Sequence, residues 1–283
     1  MTENGSFDAL APVEIARKAE AVGQTKVRMD IVTIGVLSVL AGAFIGLGAI
    51  FSGTVVAGGG DLPYGIVRLL AGLSFSLGLI LVVVAGAELF TGNNLIVMAW
   101  ASRRVTTVEV LRNWGLVYVG NLVGALGTVA IVVIGKQYTF GGGSVGETFL
   151  KIGEAKSSLG FMQASALGVL CNALVCLAVW LALGARSTAD KILAIVPPIT
   201  AFVACGFEHS IANMTFLPLA LAIKHDHAFV AGLPTPPDTT NLTLSNAIVH
   251  NLVPVTIGNV IGGAMMVGIV YWLVYLRGDR SAS

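Results

Sequence analysis

Long apolar stretches separated by short polar ones run through the whole chain. A membrane-spanning helix needs about 20 predominantly apolar residues. Four stretches meet this requirement without an Asp, Glu, Lys or Arg: residues 31–56, 113–135, 159–185 and 251–276. Two more, residues 69–102 and 192–223, meet it except for an acidic residue near the middle. The pattern predicts an all-α integral membrane protein with six transmembrane helices.

The two interrupted stretches are longer than one bilayer crossing requires. A continuous helix over the 34 residues from 69 to 102 would be about 51 Å long, whereas the hydrocarbon core is about 30 Å thick. Each stretch also has glycine next to its acid, Gly86 before Glu88 and Gly206 before Glu208. We therefore expect helices two and five to be broken into half-helices. Irregular backbone at membrane depth persists only where protein or a water-filled cavity surrounds it, so the breaks are the predicted functional centre.

The two halves of the chain share two motifs in the same order. The pattern G-x-E-x-x-x-x-N occurs at residues 86–93 and 206–213. The pattern N-x6-G-N, followed by two aliphatic residues and Gly, occurs at residues 113–124 and 251–262. These matches indicate a duplicated three-span unit, and because three is odd the second copy must be inverted. Such a 3+3 repeat brings the broken helices together near the bilayer midplane; the alternative is chance recurrence of small-residue motifs in a Gly-rich bundle.

Composition supports a lipid environment. Hydrophobic residues make up 55% of the chain and charged residues 11%, with a mean hydropathy of +0.87, whereas soluble domains carry about 25% charged residues. The net charge of +1 gives no reason to expect a nucleic-acid partner. Cys171, Cys176 and Cys205 lie in apolar runs and are interpreted as buried hydrophobic residues. No metal ion or other cofactor is expected.

The basic residues predict the orientation in the membrane. With the N-terminus inside, 11 Lys and Arg residues are cytoplasmic and 5 are outside, as the positive-inside rule requires. We expect a cytoplasmic N-terminal segment (1–30), a six-span channel domain (31–276) and a cytoplasmic tail (277–283). The polar, acidic start of the chain predicts no cleaved signal peptide. The predicted location is the inner (cytoplasmic) membrane, with both termini in the cytoplasm.

At these motifs the chain resembles the formate–nitrite transporter family, and the formate channels within it most closely. Matching segments include residues 62–65, 74–81, 88–91, 206–214 and 254–259. The resemblance implies an aquaporin-like protomer in a homopentamer, each protomer having its own pore for formate or another small monovalent anion. Nitrite and hydrosulfide channels share the Glu-His-Ser block, so these two anions remain alternatives.

The resemblance also implies roles for single residues. Two apolar slits would enclose a small chamber, formed by Phe75 and Phe202 on the periplasmic side and by Leu79, Leu89 and Phe90 on the cytoplasmic side. The polar groups facing the path would be Thr91, Asn172 and His209, with Val175 beside them. A supporting polar cluster would contain Lys156, Glu208 and Asn213. The N-terminal segment would open or block the inner entrance as the pH changes; a passive interfacial helix is the alternative.

The predicted pore centre contains no Lys or Arg, so an anion needs another source of positive potential. Half-helices starting near Thr91 and Ser210 can supply N-terminal dipoles and free backbone N–H groups. His209 can supply a proton, because imidazole titrates near neutrality. We hypothesise that His209 shares or donates a proton to formate, and we expect Glu88 and Glu208 to accept backbone N–H bonds from the broken segments. A membrane enzyme is the competing class, but only Glu208 and His209 resemble a reactive pair.

Overall fold

A computed structural model describes residues 8–278, which are helical almost throughout. Residues 1–7 and 279–283, including most of the predicted tail, lie outside the described residues. The helices are α1 (Pro12–Arg28), α2 (Ile31–Val55), α3 (Tyr64–Ile80), α4 (Val97–Ala101), α5 (Thr107–Ile134), α6 (Ser144–Ser157), α7 (Phe161–Gly184), α8 (Thr188–Ala204), α9 (Ser210–His225), α10 (His227–Ala231), α11 (Leu244–Asn246), α12 (Val253–Val260) and α13 (Val270–Tyr275). Two π-helical segments, Ala247–Leu252 and Ile261–Ile269, join α11, α12 and α13 into one rod.

Five helical stretches of the described chain are long and apolar enough to cross a membrane: Ile31–Val55, Tyr64–Gly86, Thr107–Ile134, Phe161–Gly184 and Leu244–Tyr275. The remaining predicted span is divided between α8, with 17 residues, and α9, with 16. Neither half alone reaches the length of a full crossing. Apolar side chains cover the outside of the bundle, and Ile131 is 73% exposed. This arrangement suits a protein whose solvent is lipid.

The second and fifth predicted spans are both broken where the glycine–acid motifs occur. Helix α3 passes into a π-helical turn, Leu81–Gly86, and a 3₁₀ turn, Gly92–Ile96, resumes the helix before α4. The fifth span stops at the end of α8 and resumes at the start of α9. Gly86 and Gly206 have φ angles of 83° and 75°, a region that residues with a Cβ rarely adopt. The same backbone requirement therefore places a glycine at each break.

Asn121 of α5 holds the first break in place. Its Oδ1 accepts the N–H of Phe90 at 3.0 Å. Its Nδ2 donates to the carbonyls of Ser38 at 2.8 Å and Glu88 at 2.9 Å. One fully buried amide thus satisfies two backbone groups that the broken helix cannot pair internally and ties them to the backbone of α2.

Asn259 of α12 repeats this clamp at the second break. Its Oδ1 accepts the N–H of Ser210 at 2.9 Å, and its Nδ2 donates to the carbonyls of Gly168 at 2.8 Å and Glu208 at 3.0 Å. Each partner occupies the position in its repeat that is equivalent to a partner of Asn121. The N-x6-G-N motif therefore supplies the residue that fixes each break.

Glycines allow the helices carrying these clamps to approach closely. A Cβ added at Gly124 of α5 would collide with the carbonyl oxygen of Val39 in α2. A Cβ at Gly262 would collide with that of Val169 in α7. The helix pairs α2–α5 and α7–α12 are thus equivalent contacts packed through small residues.

The duplicated unit is larger than the three spans predicted from the sequence. An amphipathic helix precedes the first span of each half, α1 before α2 and α6 before α7. Helix α1 packs against α4 and the 3₁₀ turn of the first break, and α6 packs against α9 of the second. Each repeat therefore consists of an amphipathic helix and three spans.

A polar contact joins the α5–α6 connection to the start of α10. The Tyr138 hydroxyl donates to Oδ2 of Asp226 at 2.6 Å. This bond raises the pKa of Tyr138 to about 12 and lowers the pKa of the Asp226 carboxyl. Asp226 also accepts the N–H of Phe229 at the start of α10. Its carboxylate therefore links the α5–α6 connection to α10.

Candidate functional site

His209 connects the two breaks at the centre of the bundle. It is the N-cap of α9, and its Nδ1 accepts the N–H of Ala212 at 3.1 Å. Its Nε2 lies 3.0 Å from Oγ1 of Thr91, at the other break. Thr91 is fully buried and His209 is 3% exposed. The imidazole therefore spans the junction between the two half-repeats.

These two contacts assign the tautomer of the ring. Because Nδ1 of His209 accepts a hydrogen bond, the ring proton lies on Nε2 and is donated to Thr91. Protonating Nδ1 would break the cap of Ala212 and place a cation at the positive end of α9. The resting imidazole is therefore neutral.

Asn172 of α7 connects the remaining polar groups beside Thr91. Its Nδ2 lies 2.8 Å from Oδ1 of Asn94 and 3.3 Å from the carbonyl of Thr91. The Cys176 thiol donates to the same carbonyl at 3.3 Å. Val175 is also buried, in the hydrophobic cluster that surrounds this centre. The structure thus brings together all four residues predicted to face the path.

Two aromatic rings cover His209 on one side. Phe75 and Phe202 meet edge to face, with centroids 5.5 Å apart. The Phe202 ring stacks on the imidazole at 5.9 Å and 22°. All three side chains line a cavity of about 380 Å³, which we call the His209 cavity. Phe202 thus packs against the imidazole, and Phe75 packs against Phe202.

A second cavity, of about 360 Å³, lies on the other side of the breaks; we call it the Lys26 cavity. Leu79 and Leu89 line it. Phe90 is placed differently, because its ring packs edge-on against Trp114 and Tyr118 of α5, at 6.2 and 5.0 Å. Of the three residues predicted for the slit on this side, the two leucines therefore line the cavity, whereas Phe90 packs against α5 behind them.

The two cavities lie at opposite ends of the bundle. Leu37, near the start of α2, lines the Lys26 cavity, whereas Ser52 and Val56, at its other end, line the His209 cavity. Helix α2 has 25 residues and is about 37 Å long. The breaks, the imidazole and the apolar side chains therefore separate two opposed vestibules.

The predicted supporting cluster lies in the His209 cavity. Lys156, at the end of α6, pairs with Glu208 at 2.8 Å and lies 5.4 Å from the centroid of the Phe216 ring. The Nδ2 of Asn213 donates to Oε2 of Glu208 at 2.7 Å and to Oδ1 of Asn251 at 2.6 Å. The buried carboxylate is thus held by one cation and by amides.

An equivalent cluster in the Lys26 cavity was missed by the sequence analysis. Lys26, in the last turn of α1, pairs with Glu88 at 2.5 Å and donates to Oδ1 of Asn93 at 2.9 Å. The Nδ2 of Asn93 donates to Glu88 at 2.7 Å and to Asn113 at 3.0 Å. The repeated motifs contain a signal for this cluster, because they place Glu88, Asn93 and Asn113 at positions equivalent to those of Glu208, Asn213 and Asn251.

The chemistry of the breaks differs from the sequence expectation in two respects. The sequence predicts that Glu88 and Glu208 accept backbone N–H bonds, but their carboxylates accept bonds from Lys and Asn side chains. The sequence also predicts free N–H groups at the start of α9, yet those of Ser210 and Ala212 are occupied by Asn259 and His209. Side chains from neighbouring helices reach these groups, and a pattern along one helix cannot reveal them.

Comparisons with known proteins identify the family. The model of the formate/nitrite transporter family matches residues 13–273. The formate channel FocA of Escherichia coli (strain K12) is 43% identical over 281 residues, which cover 98% of this chain and 98% of that protein. The chain belongs to the formate/nitrite transporter family.

Other members of the formate/nitrite transporter family are similar along most of the chain. The uncharacterized transporter YrhG of Bacillus subtilis (strain 168) is 40% identical over 276 residues, covering 95% of each chain. A solved structure described as a pentameric formate channel with formate bound has a TM-score of 0.80 and 42% identity, and covers 87% of this chain and 98% of that one. The predicted family and the multi-pass helical fold are therefore confirmed.

Membership in the formate/nitrite transporter family also decides between transporter and enzyme. The family consists of transporters, so the enzyme alternative is excluded. Among the described residues, no group of three or more His, Cys, Asp and Glu side chains could hold a metal ion. Cys171 and Cys176 are buried free thiols, as predicted, whereas Cys205 is exposed. The site is thus a scaffold of amides and ion pairs around one imidazole.

Proposed function

We propose that this protein is a channel that carries formate, or a similarly small monovalent anion, across the inner membrane. Each protomer of a homopentamer holds its own path, which runs from the His209 cavity past the imidazole to the Lys26 cavity. Both termini lie in the cytoplasm, so that the Lys26 cavity faces the cytoplasm. Native mass spectrometry should give a mass near 146 kDa, which is five times the 29.2 kDa of one chain. A mass of one or two chains would contradict the homopentamer.

The observation that carries the proposal is the contact between His209 and Thr91. Their 3.0 Å contact joins the two breaks between the opposed vestibules. The cavity walls on the two sides of this contact include the buried apolar side chains of Phe75, Phe202 and Leu89. The relatives named as formate channels, among them the E. coli protein, support formate as the anion.

The apolar walls favour passage of a neutral species. Moving a bare carboxylate through a dry passage costs several kcal/mol even after relaxation of the protein. Protonating a carboxylic acid with a pKa of about 4 at pH 7 costs about 4 kcal/mol. Because these costs are similar, formate and a proton can pass the leucine and phenylalanine walls together.

His209 is the group at which anion and proton meet. Formate entering from the His209 cavity replaces Thr91 as the acceptor of the Nε2 proton. A proton from the same side is then shared between formate and the ring, and neutral formic acid passes Leu89. The ring regains its contact with Thr91 when the acid leaves.

Helix α1 provides the pH-dependent gate of the inner vestibule. Its only buried ionic link to the break is the pair of Lys26 and Glu88, among the residues that the structure describes. Loss of this ionic link frees α1 to move away from the cavity. Glu88→Gln should reproduce this state at neutral pH and make protease cleavage within α1 faster than in the wild type. Cleavage as slow as in the wild type would contradict this role of α1.

Flux into liposomes tests the proposed function. Purified protein is reconstituted, and the uptake of formate, nitrite and hydrosulfide is measured at two pH values. Formate uptake well above that of protein-free liposomes, and faster at the lower pH, supports the proposal. Preferred uptake of nitrite or hydrosulfide would assign the chain to another anion, and uptake of none of the three would refute it.

A further inference from the structure

Arg68 is a second basic residue of the His209 cavity, and its partners differ in kind from those of Lys156. It lies in the second turn of α3 and is half-buried. Its Nε donates to the carbonyl of Ala204 at 3.2 Å, and its Nη2 donates to that of Val203. These are the last carbonyls of α8, directly before the second break. The guanidinium therefore caps the end of a half-helix that points at the vestibule.

The charge of Arg68 is not neutralised by a carboxylate among residues 8–278. Lys156, in the same cavity, is paired with Glu208 at 2.8 Å. The carbonyl end of α8 carries a charge of about −0.5, so the guanidinium offsets it and leaves about half a positive charge. Arg68 is thus the cation of this cavity whose field reaches an incoming anion.

The repeat provides no such charge in the opposite vestibule. The position equivalent to Arg68, 120 residues later, is Thr188, which is exposed at the start of α8. The charged side chains lining the Lys26 cavity are Lys26 and Glu88, which cancel formally. Those lining the His209 cavity are Arg68, Lys156 and Glu208, with a formal sum of +1. The duplicated scaffold is therefore electrostatically asymmetric.

We propose that Arg68 makes the His209 cavity the anion-collecting vestibule, by cancelling the negative end of α8 and adding about half a positive charge. Because the cap fixes the guanidinium, the field is directed at the mouth that leads to Phe202 and His209. This role rests on the proposed function, since it concerns the entry of the same anion. Arg68 acts here as a positioning and specificity residue that selects anions before they reach the ring.

The exposed thiol of Cys205 is a native probe of this field. It directly follows Ala204, and the other two cysteines are buried. Its rates of reaction with an anionic and a cationic methanethiosulfonate reagent of similar size are measured without formate. The ratio of the two rates cancels any change in the thiolate fraction and reports the local potential.

Removal of the charge should shift this ratio strongly. At the dielectric constant of water, a unit charge placed at a distance of about 6 Å from a reacting group changes the two rates about three-fold in opposite senses, and hence their ratio about ten-fold. Arg68→Gln should lower the anionic-to-cationic ratio by this factor at about 0.01 M salt, and the difference should vanish near 1 M. Arg68→Lys, which keeps the charge, should retain most of the wild-type ratio. Arg112→Gln removes an exposed charge outside both cavities and is the matched control.

Several outcomes would overturn the proposal. A wild-type ratio that does not change between low and high salt contradicts it without any variant. An Arg68→Gln ratio equal to that of the wild type, or an equal loss in Arg68→Lys, would reduce Arg68 to a structural cap. If the ratios behave as expected but liposomes take up no formate, the field assignment stands and the proposed function fails.

The same charge should be visible in formate currents. In symmetric formate at low ionic strength, single wild-type channels should pass more current at one voltage polarity than at the other, because anions enter faster from the vestibule with the excess charge. Arg68→Gln should make the two currents nearly equal, and Arg112→Gln should leave them unequal. Unchanged rectification in Arg68→Gln would contradict the proposal.

Discussion

At the scale of single residues, each of the two buried carboxylates among residues 8–278 is neutralised by a lysine. Glu88 and Glu208 are 4% and 5% exposed, and each is held by a lysine and by asparagine amides. An isolated carboxylate at this depth would be too costly to retain. Lys26 of α1 and Lys156 of α6 therefore stabilise the two breaks, although neither helix belongs to a membrane span.

Removing Lys156 should destabilise the protein strongly. Lys156→Met leaves the Glu208 carboxylate buried without its cation, which costs about 3 kcal/mol or more. Lys156→Met combined with Glu208→Gln should recover most of this loss, because no buried charge remains. Thermal unfolding in detergent measures both effects.

Lys151 gives a matched control on the same helix. Its side chain is 62% exposed and pairs with Glu147 one turn away. Such a surface pair contributes about 0.3–0.5 kcal/mol, so Lys151→Met should hardly change the unfolding temperature. An equal decrease for Lys151→Met and Lys156→Met would show that the buried pair has no special weight.

Residue patterns could predict some of this site but not all of it. His209, Glu208 and Asn213 lie within one recurring motif, so sequence alone singles them out. Lys26 was missed because the repeat was traced only through the spans, whereas the lysine comes from the preceding helix. The contact of His209 with Thr91 joins residues 118 positions apart, and only the three-dimensional arrangement can place it.

At the scale of elements, close helix packing keeps the clamping asparagines within reach of the breaks. Helices α2 and α5 touch where Gly124 meets the backbone of Val39. Asn121 lies one turn earlier on α5 and joins the first break to α2 through three hydrogen bonds, two to the break and one to Ser38. A wider separation of these helices would pull the amide away from the break.

Gly124→Ala should therefore lower both stability and flux. The new methyl group would overlap the carbonyl of Val39, so the helices must separate, at a cost of about 1–3 kcal/mol. Gly127→Ala, on the same helix, meets no atom within 4 Å. It should be neutral or stabilise the helix by up to about 1 kcal/mol. Unfolding temperatures and formate uptake of the two variants test this, and equal behaviour would contradict it.

Apolar stretches predict the spans well because hydrophobic length is a local property. The breaks were predictable from excess length together with glycine and acid, and both occur where expected. Helix α6 was not predicted. Its buried positions, such as Val145, Phe149 and Leu150, are few and lie among glycines and charges, so the segment resembles a loop in sequence.

At the scale of the whole molecule, the duplication builds two equivalent scaffolds and function requires that they differ. The ion pairs, amide clamps and left-handed glycines occur in both halves. The position of His209 is occupied in the first half by Leu89. The imidazole therefore occurs in the second half only, at a position where the first half has an apolar side chain.

If the proton that travels with formate passes through His209, the variant His209→Asn should lose the coupling between proton and formate. Asparagine can still accept the N–H of Ala212 at the start of α9, but it cannot titrate. Formate uptake and internal acidification are measured together in liposomes across external pH. Wild-type uptake should rise as the pH falls, with about one proton per formate. In His209→Asn this pH dependence should be lost, and formate should enter as an anion driven by voltage. Unchanged pH dependence and proton coupling in His209→Asn would show that the proton does not pass through His209.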